Sequence, residues 1–195
     1  QPRVLGPIRA LRITSRDPAP PHASYLAASG GMFKDMTIHD FDMARFQLGD
    51  IVEVQAMGSD NGLDMYAQAN DHAQALVMMR AASGALCTIV NSRSCAYGYD
   101  QRLEAFGDAG SLDAGNWTAT TVRAHSASQT EAAGPVLNFF LERYMLAFKA
   151  ELAEFITAIT EDRAPDVGFA DGRAALVLAE AANESVATGR ATTVA

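Results

Sequence analysis

Long apolar runs, basic clusters and paired cysteines are missing from this sequence of 195 residues. No apolar run approaches the ~20 residues that a membrane-spanning helix needs, so we expect no membrane segment. The formal net charge is −8, and no stripe of lysine and arginine offers a surface for nucleic acid. The cysteines, Cys87 and Cys95, form no CxxC pair, which favours free thiols in a cytoplasmic protein over the alternative of a disulfide within one hairpin.

Three motifs that would identify a familiar chemistry are also missing. There is no GxSxG nucleophile turn and no GxxxxGKS or GxxxxGKT phosphate loop. No GxGxxG stands between a predicted strand and a predicted helix, so the chain has no visible dinucleotide-binding unit of its own. Its first residue is Gln1 rather than methionine, and from this we expect a processed chain or a piece of a longer one.

The composition and the apolar periodicity predict a single α+β domain over residues 1–195. Apolar residues make up 49% of the chain and charged residues 19%, which is enough apolar material for a core. The predicted strands are 8–14, 51–57, 73–82, 85–92, 102–107 and 118–124, and the predicted helices are 32–48, a long helix from Leu141 to Ile159, and 172–188 capped by Asp171. This order predicts a largely antiparallel, open-faced mixed sheet with helices packed on one face.

One segment, residues 30–46, combines acidic, basic and apolar side chains at helical spacing. On a single helix, Asp35, His39 and Asp42 would share one narrow stripe, and most of the remaining surface would be apolar and buried. Three interpretations remain open: a polar network that pins the helix to the sheet, a metal site built on His39, and general acid–base catalysis by His39 with an aspartate one turn away. No third ligand stands at a diagnostic spacing, so we predict no bound metal.

The predicted hairpin leaves the sheet with two apolar faces. Both alternating sets of side chains are apolar at 75–79 and at 86–90. Three helices can cover one face, and the other face must meet something else. A large apolar patch on a monomer normally marks an interface, so we expect this face to join copies of the chain.

Four motifs occur in order along nearly the whole chain. They are TSRDP at 14–18, SGGMFKD through HDFDMAR at 29–45, the group NSR, YGYDQR and EAFG between 91 and 107, and FFLERY at 139–144. This series resembles the glucose–fructose oxidoreductase and inositol dehydrogenase family, and within it the myo-inositol 2-dehydrogenases most closely. The resemblance implies a two-domain enzyme whose Rossmann domain, absent from this chain, binds NAD or NADP. These residues then form its C-terminal substrate-binding and oligomerisation domain, in homodimers or tetramers packed through the open sheet face.

The same resemblance implies roles for particular residues. His39 is the base that takes a hydroxyl proton while hydride leaves the same ring carbon of a myo-inositol-like polyol or sugar for NAD. Asp35 orients the imidazole and stabilises its charged form. The positions that match polyol contacts are Asp17 (with Arg16 as an alternative), Asp42, Tyr99 and Tyr144. The alternative function is a non-catalytic polyol- or sugar-binding or oligomerisation module that lacks a nucleotide-binding partner.

Overall fold

The computed structural model describes residues 4–194. In chain order the elements are β1 (Ile8–Arg16), α1 (Ala23–Ser29), α2 (Met32–Asp35), α3 (Thr37–Leu48), β2 (Ile51–Ser59), α4 (Asp64–Ala69), β3 (Gln74–Ala81), β4 (Leu86–Ser92), β5 (Asp100–Gly107), β6 (Gly110–Ala114), β7 (Arg123–Ala124), β8 (Ala132–Ala133), α5 (Phe140–Arg143), α6 (Met145–Thr160), α7 (Phe169–Thr188) and β9 (Thr192–Thr193).

Seven of these strands form one sheet in the order β6-β5-β1-β4-β3-β2-β9, and β7 pairs with β8 in a separate ribbon. β1 and β4 run parallel, with Ile13 opposite Ile89, and the other neighbouring strands are antiparallel. The predicted α+β fold with a largely antiparallel mixed sheet is therefore confirmed. The carboxyl ends of these two central strands, at Arg16 and Ser92, lie side by side at the same end of the sheet.

The covered face of the sheet carries small and branched side chains beneath the helices. In β3, Ala75, Val77 and Met79 are buried, and Leu76 and Met78 alternate with them on the open face. Side chains of α2, α3 and α7 join the strands in one apolar cluster. These three helices therefore cover the sheet, and α3 packs against β1 and β4.

The predicted helix over 32–48 is interrupted at Met36, so Asp35 and His39 do not belong to one continuous helix. Met36 has φ −110° and ψ −59° and lies between α2 and α3. At this point the amide of His39 donates to the Met36 carbonyl, three residues back, at a long 3.4 Å. Asp35 therefore ends one helix, and His39 and Asp42 belong to the next. Side chains from distant segments contact both ends of α2: Asp71 at Met32 and Arg93 at Asp35.

The segment between 108 and 138 also differs from the prediction. The predicted strand over 118–124 is wrong, since Thr118 makes an isolated bridge with Val136 and only the two-residue β7 follows. Threonine and valine favour strands only where a packed face supports them, and this segment is exposed. β6, which was not predicted, pairs with β5 across the turn at Asp108 and Ala109.

Helix ends account for the remaining differences. α1 and α4 were not predicted, because six or seven residues carry too little periodicity. Gly30 and Gly31, both with φ 88°, form the turn between α1 and α2. α7 begins at Phe169 with Gly168 as its N-cap, so Asp171 is not the cap that was predicted. Its carboxylate instead accepts a hydrogen bond from the Gly168 amide at 2.9 Å.

The predicted long helix is present, but it does not cover the sheet. Tyr144 divides it into α5 and α6. The large apolar side chains of α6 are between 42% and 65% exposed: Met145, Leu146, Phe148, Leu152, Phe155, Ile156 and Ile159. α6 therefore lies outside the layer formed by α2, α3 and α7, and it offers a second apolar surface besides the open face of the sheet.

Replacing Phe41 by alanine is expected to lower the free energy of unfolding by about 3–5 kcal/mol, because the ring is fully buried and its loss leaves a cavity. Urea titration followed by far-UV circular dichroism measures this as a lower midpoint with an unchanged slope. Phe46→Ala is the matched control on the same helix, since its ring is 79% exposed, and its effect should stay within about 0.5 kcal/mol. Equal losses in the two variants would contradict the packing of α3 on the sheet.

Candidate active site

The carboxyl ends of β1 and β4 meet the α2–α3 junction at one edge of the sheet. Asp17 directly follows β1, and its amide donates to the Ser92 carbonyl at 2.9 Å. Arg93 directly follows β4, and Asp35 and His39 flank the junction between the two helices. Side chains of both charges therefore come together where parallel strands end, which is a common position for a ligand site.

Asp40, the neighbour of His39, is the buried centre of a hydrogen-bond network. Its Oδ1 accepts from Ser15 Oγ at 2.6 Å, and its Oδ2 accepts from Asn91 Nδ2 at 2.7 Å. Asn91 Oδ1 accepts from the Thr37 hydroxyl at 2.7 Å. The network ties α3 to β1 and β4, so the polar pinning network exists, but Asp40 forms it instead of the predicted stripe.

Burial sets the protonation of Asp40. Loss of solvation raises the pKa of this carboxyl to about 6, and the hydrogen bonds from Ser15 and Asn91 oppose the rise. The charge of His39 lowers the same pKa. Asp40 therefore changes its charge near neutral pH while it stays inside the fold.

Both carboxylate oxygens of Asp35 have partners other than His39. The Tyr25 hydroxyl donates to Oδ1 at 2.5 Å, and Arg93 Nη1 donates to Oδ2 at 2.8 Å. Within residues 4–194 no hydrogen bond joins Asp35 to His39, and the Asp35 carboxylate is bonded to Tyr25 and Arg93 instead. The Tyr25 pKa is raised, chiefly because its hydroxyl is hydrogen-bonded to this carboxylate.

Asp17 lies within the electrostatic reach of the same groups. Burial raises the pKa of its carboxyl to about 6, and the charge of Asp35 raises it further. The charges of Arg93 and His39 lower it. The structure thus brings Asp17, Asp35 and His39 together as three of the predicted site residues.

Tyr99 and Tyr144 form a second, aromatic part of the site. Their rings meet edge to face with centroids 6.1 Å apart, and the Tyr144 hydroxyl donates to Gln101 Oε1 at 3.1 Å. Burial raises the pKa of both hydroxyls. The charge of Asp17 also raises the pKa of Tyr99, so this ring lies within the electrostatic reach of that carboxyl group.

Two other residues named from the sequence are less closely joined to this group. Asp42 is half-buried on α3, and within 4–194 its side chain makes no hydrogen bond. Arg16 donates to Asp100 Oδ2 at 3.2 Å and to the Tyr97 hydroxyl at 2.5 Å. Arg16, the last residue of β1, therefore anchors the start of β5 through Asp100, whereas Asp17 lies within the electrostatic reach of Arg93 and His39.

Four residues of the site were not recognised from the sequence: Tyr25, Asp40, Asn91 and Arg93. Asn91 and Arg93 lie in the NSR motif, which is the one signal that could have drawn attention to them. Within the described part of the chain no group of three or more His, Cys, Asp or Glu side chains is arranged to hold a metal ion. Cys87 and Cys95 are buried free thiols, as predicted. No helix among residues 4–194 is long and apolar enough to cross a membrane.

Comparison with known families matches residues 2–113 to the GFO/IDH/MocA C-terminal domain, which is more than half of the chain. The chain belongs to the GFO/IDH/MocA family. The family predicted from the four motifs is therefore confirmed, and the helix junction with Asp35 and His39 lies within the matched residues of this GFO/IDH/MocA domain.

Similar proteins cover nearly all of this GFO/IDH/MocA chain. It is 46% identical over 184 residues to a myo-inositol 2-dehydrogenase of Thermotoga maritima, a match that covers 94% of the chain and 55% of that protein. A crystal structure of a myo-inositol dehydrogenase from Corynebacterium glutamicum matches at 52% identity with a TM-score of 0.96, over 98% of the chain and 57% of that protein. A scyllo-inositol dehydrogenase from Lactobacillus casei with bound NAD(H) and scyllo-inositol matches at 25% identity with a TM-score of 0.81, over 97% and 57%. The chain thus spans a little over half the length of the relatives it matches.

Asp40→Asn is expected to remove a pH dependence of stability between about pH 4 and 6. The folded protein binds a proton at Asp40 more readily than the unfolded chain does, because the pKa rises from 3.8 to about 6 on folding. The stabilisation from this proton is complete below pH 3.8 and is lost as the pH rises through about 6, by at most ~3 kcal/mol. Urea titrations at several pH values should show the wild type losing stability relative to the variant across this window.

Two serine variants test the cause of this dependence. Ser15→Ala removes a hydrogen bond that lowers the pKa of Asp40. In this variant the loss of stability should therefore extend to higher pH than in the wild type. Ser126→Ala, in an exposed loop, is the control and should leave the window unchanged. A stability difference between wild type and Asp40→Asn that is the same at every pH would contradict proton binding at Asp40.

Proposed function

We propose that this chain is the substrate-binding, base-supplying domain of an NAD-dependent polyol dehydrogenase that oxidises a ring carbinol of a myo-inositol-like substrate. The observation that carries the proposal is the exposed side chain of His39 beside two carboxyl groups, Asp17 and Asp40, whose pKa values respond to its charge. The substrate class comes from the relatives, whose names specify myo- and scyllo-inositol.

In this proposal His39 takes the hydroxyl proton of the substrate. A neutral imidazole has a free electron pair, and nearby carboxylates stabilise the imidazolium that forms. The neighbouring Asp40 is hydrogen-bonded to β1 and β4, so α3 presents His39 at a defined position above the strand ends. Such positioning is a large part of what a general base needs.

The other predicted residues divide into a carboxyl group that its neighbours hold in place and groups that bind substrate hydroxyls. Asp35, held by Tyr25 and Arg93, supplies negative charge near His39 without a hydrogen bond to it. Asp17, with a pKa of about 6, can donate to or accept from a polyol hydroxyl near neutral pH. The proposed pocket for the ring hydroxyls is completed by three further side chains: Asp42, Tyr99 and Tyr144.

The described residues include no dinucleotide-binding turn. Within 4–194 no glycine-rich turn leads from a strand into a helix to hold a pyrophosphate. We therefore assign NAD, or NADP, mainly to a Rossmann domain that partners this one. When bound, the cofactor supplies the acceptor for the hydride that leaves the carbinol carbon. A cytoplasmic location without nucleic-acid or membrane partners stays a prediction.

The open face of the sheet is the proposed contact between copies of the chain. Its apolar side chains are 50–70% exposed: Met57, Leu76, Met78, Leu86 and Phe106. Ion pairs lie on the same face, Arg12 with Glu104 at 3.0 Å and Arg80 with Glu53 at 3.1 Å. Apolar area with interspersed polar pairs is typical of interfaces between folded subunits, and a two-fold axis is the commonest symmetry.

In the full-length protein, His39→Ala is expected to lower kcat by roughly 10²–10⁴-fold, the usual effect of removing a general base. The measurement is the absorbance of reduced cofactor with myo-inositol and NAD at steady state. Folding should be retained because the His39 side chain is exposed. His125→Ala is the control, since this exposed histidine lies on the β7–β8 ribbon beside Glu131. A near-normal kcat in His39→Ala would show that His39 is not the general base.

The same assay separates the proposal from its alternative. The 195 residues alone are expected to give no steady turnover, because they carry no dinucleotide fingerprint. A full-length protein that binds myo-inositol in calorimetry but never reduces NAD or NADP would favour the non-catalytic polyol-binding module.

Met78→Glu is expected to weaken self-association, because it puts a charge in the middle of the open sheet face. Light scattering at micromolar concentration should show a dimer or tetramer for the wild type and a smaller mass for the variant. Leu152→Glu makes the same change on α6, which is also apolar and exposed. A loss of mass in Leu152→Glu but not in Met78→Glu would move the contact from the sheet to α6.

A further inference from the structure

Arg93 is the largest of the fully buried side chains in the described part of the chain. It directly follows β4, and its amide donates to the Ala73 carbonyl at 2.9 Å. A guanidinium stays charged at any physiological pH, so a buried one must be balanced by carboxylates. The side chain of Arg93 is 2% exposed, and its position therefore depends on the acids around it.

Two carboxylates share this guanidinium. Arg93 Nη1 donates to Asp35 Oδ2 at 2.8 Å, and Nη2 donates to Asp71 Oδ2 at 3.1 Å. Asp71 is itself buried, whereas Asp35 is partly open to the site. Arg93 thus connects an internal carboxylate to one that faces the substrate region.

The same pair holds both ends of α2. Asp71 Oδ1 accepts from the Met32 amide, at the start of the helix, at 2.7 Å. Arg93 holds Asp35, its last residue. Four residues cannot form a stable helix by themselves, so the orientation of α2 depends on such outside contacts.

We propose that Arg93 is a positioning residue: together with Asp71 it clamps α2 at both ends and fixes the position of the Asp35 carboxylate near the proton-transfer site that contains His39. This inference rests on the proposed function. The clamp explains why the helix is interrupted at Met36, because α2 is anchored to Arg93 and Asp71 while α3 is anchored through Asp40 to the strands. Asp35 and His39 are therefore held by two independent sets of contacts.

The clamp needs a planar group with two separate donors. Lysine retains the charge, but its single ammonium cannot reproduce the forked contact to Asp35 and Asp71. Removal of the guanidinium charge also acts on Asp17, because Arg93 lowers the pKa of that carboxyl. Positioning and charge can therefore be measured separately.

The test compares three variants of the full-length protein with the wild type. Arg93→Lys keeps the charge and loses the fork. The double variant Arg93→Gln/Asp71→Asn removes the guanidinium without leaving the buried Asp71 charge unbalanced. Arg163→Lys is the control, because the exposed Arg163 also bridges carboxylates: Glu154 at 2.8 Å, Glu161 at 2.9 Å and Asp166 at 3.3 Å.

For Arg93→Lys we expect kcat to fall roughly 10- to 100-fold, as for a misplaced reacting group. KM for myo-inositol should change by less than about threefold, which separates positioning from general loss of the pocket. In the double variant, carbon-13 NMR of labelled aspartate should show the Asp17 titration midpoint at higher pH than in the wild type. Arg163→Lys should match the wild type in both measurements, and cooperative thermal unfolding checks the fold of each variant.

The results distinguish a role of Arg93 in positioning Asp35 from a role in packing alone. A folded Arg93→Lys protein with wild-type kcat overturns the inference, as does an unchanged Asp17 midpoint in the double variant. If Arg93→Lys does not fold, the double variant decides through its midpoint alone. A wild-type protein without turnover contradicts the proposed function, and the Asp17 midpoint then supports or overturns the arrangement of Arg93 on its own.

Discussion

The buried carboxylate of Asp40 is the constraint on which the site depends. A buried charge without partners costs several kcal/mol, so α3 can lie on the sheet only where Ser15 and Asn91 both reach Asp40. Those two residues belong to β1 and β4, the parallel pair near the middle of the sheet. These hydrogen bonds to the strands beneath fix the position of α3, and with it the position of His39.

The balance of charge at this edge gives neighbouring carboxyl groups different behaviour. Asp35 accepts a hydrogen bond from a guanidinium on one oxygen and from a phenol on the other, so its carboxyl group is held in place. Asp17 is desolvated and feels the negative charge of Asp35, so its pKa rises to about 6. A site with a carboxyl group that titrates near pH 6 beside a histidine suits a reaction in which a hydroxyl loses its proton.

The uncovered apolar surfaces follow from how few helices reach the sheet. α2, α3 and α7 supply the buried cluster over one face, and the opposite face keeps both apolar side chains and ion pairs. α6 is the longest helix outside this packing, and its start is near the site through Tyr144, which contacts Tyr99 and Gln101. A chain a little over half the length of its relatives has two surfaces on which further protein can pack.

Local periodicity in the sequence was enough to predict β1 to β5, α3, α6 and α7 within a few residues, and the spacing of Asp35 and His39 drew attention to the α2–α3 segment, since these signals repeat within one element. The family followed from four motifs in order. The partner of Asp35, the network of Asp40, the missing strand over 118–124 and the exposure of α6 were decided only by the tertiary structure. Arg93 lies 58 residues from Asp35, and Asn91 lies 51 residues from Asp40. Sheet register and helix packing bring such residues together, and no local pattern in the chain records which distant side chain will arrive.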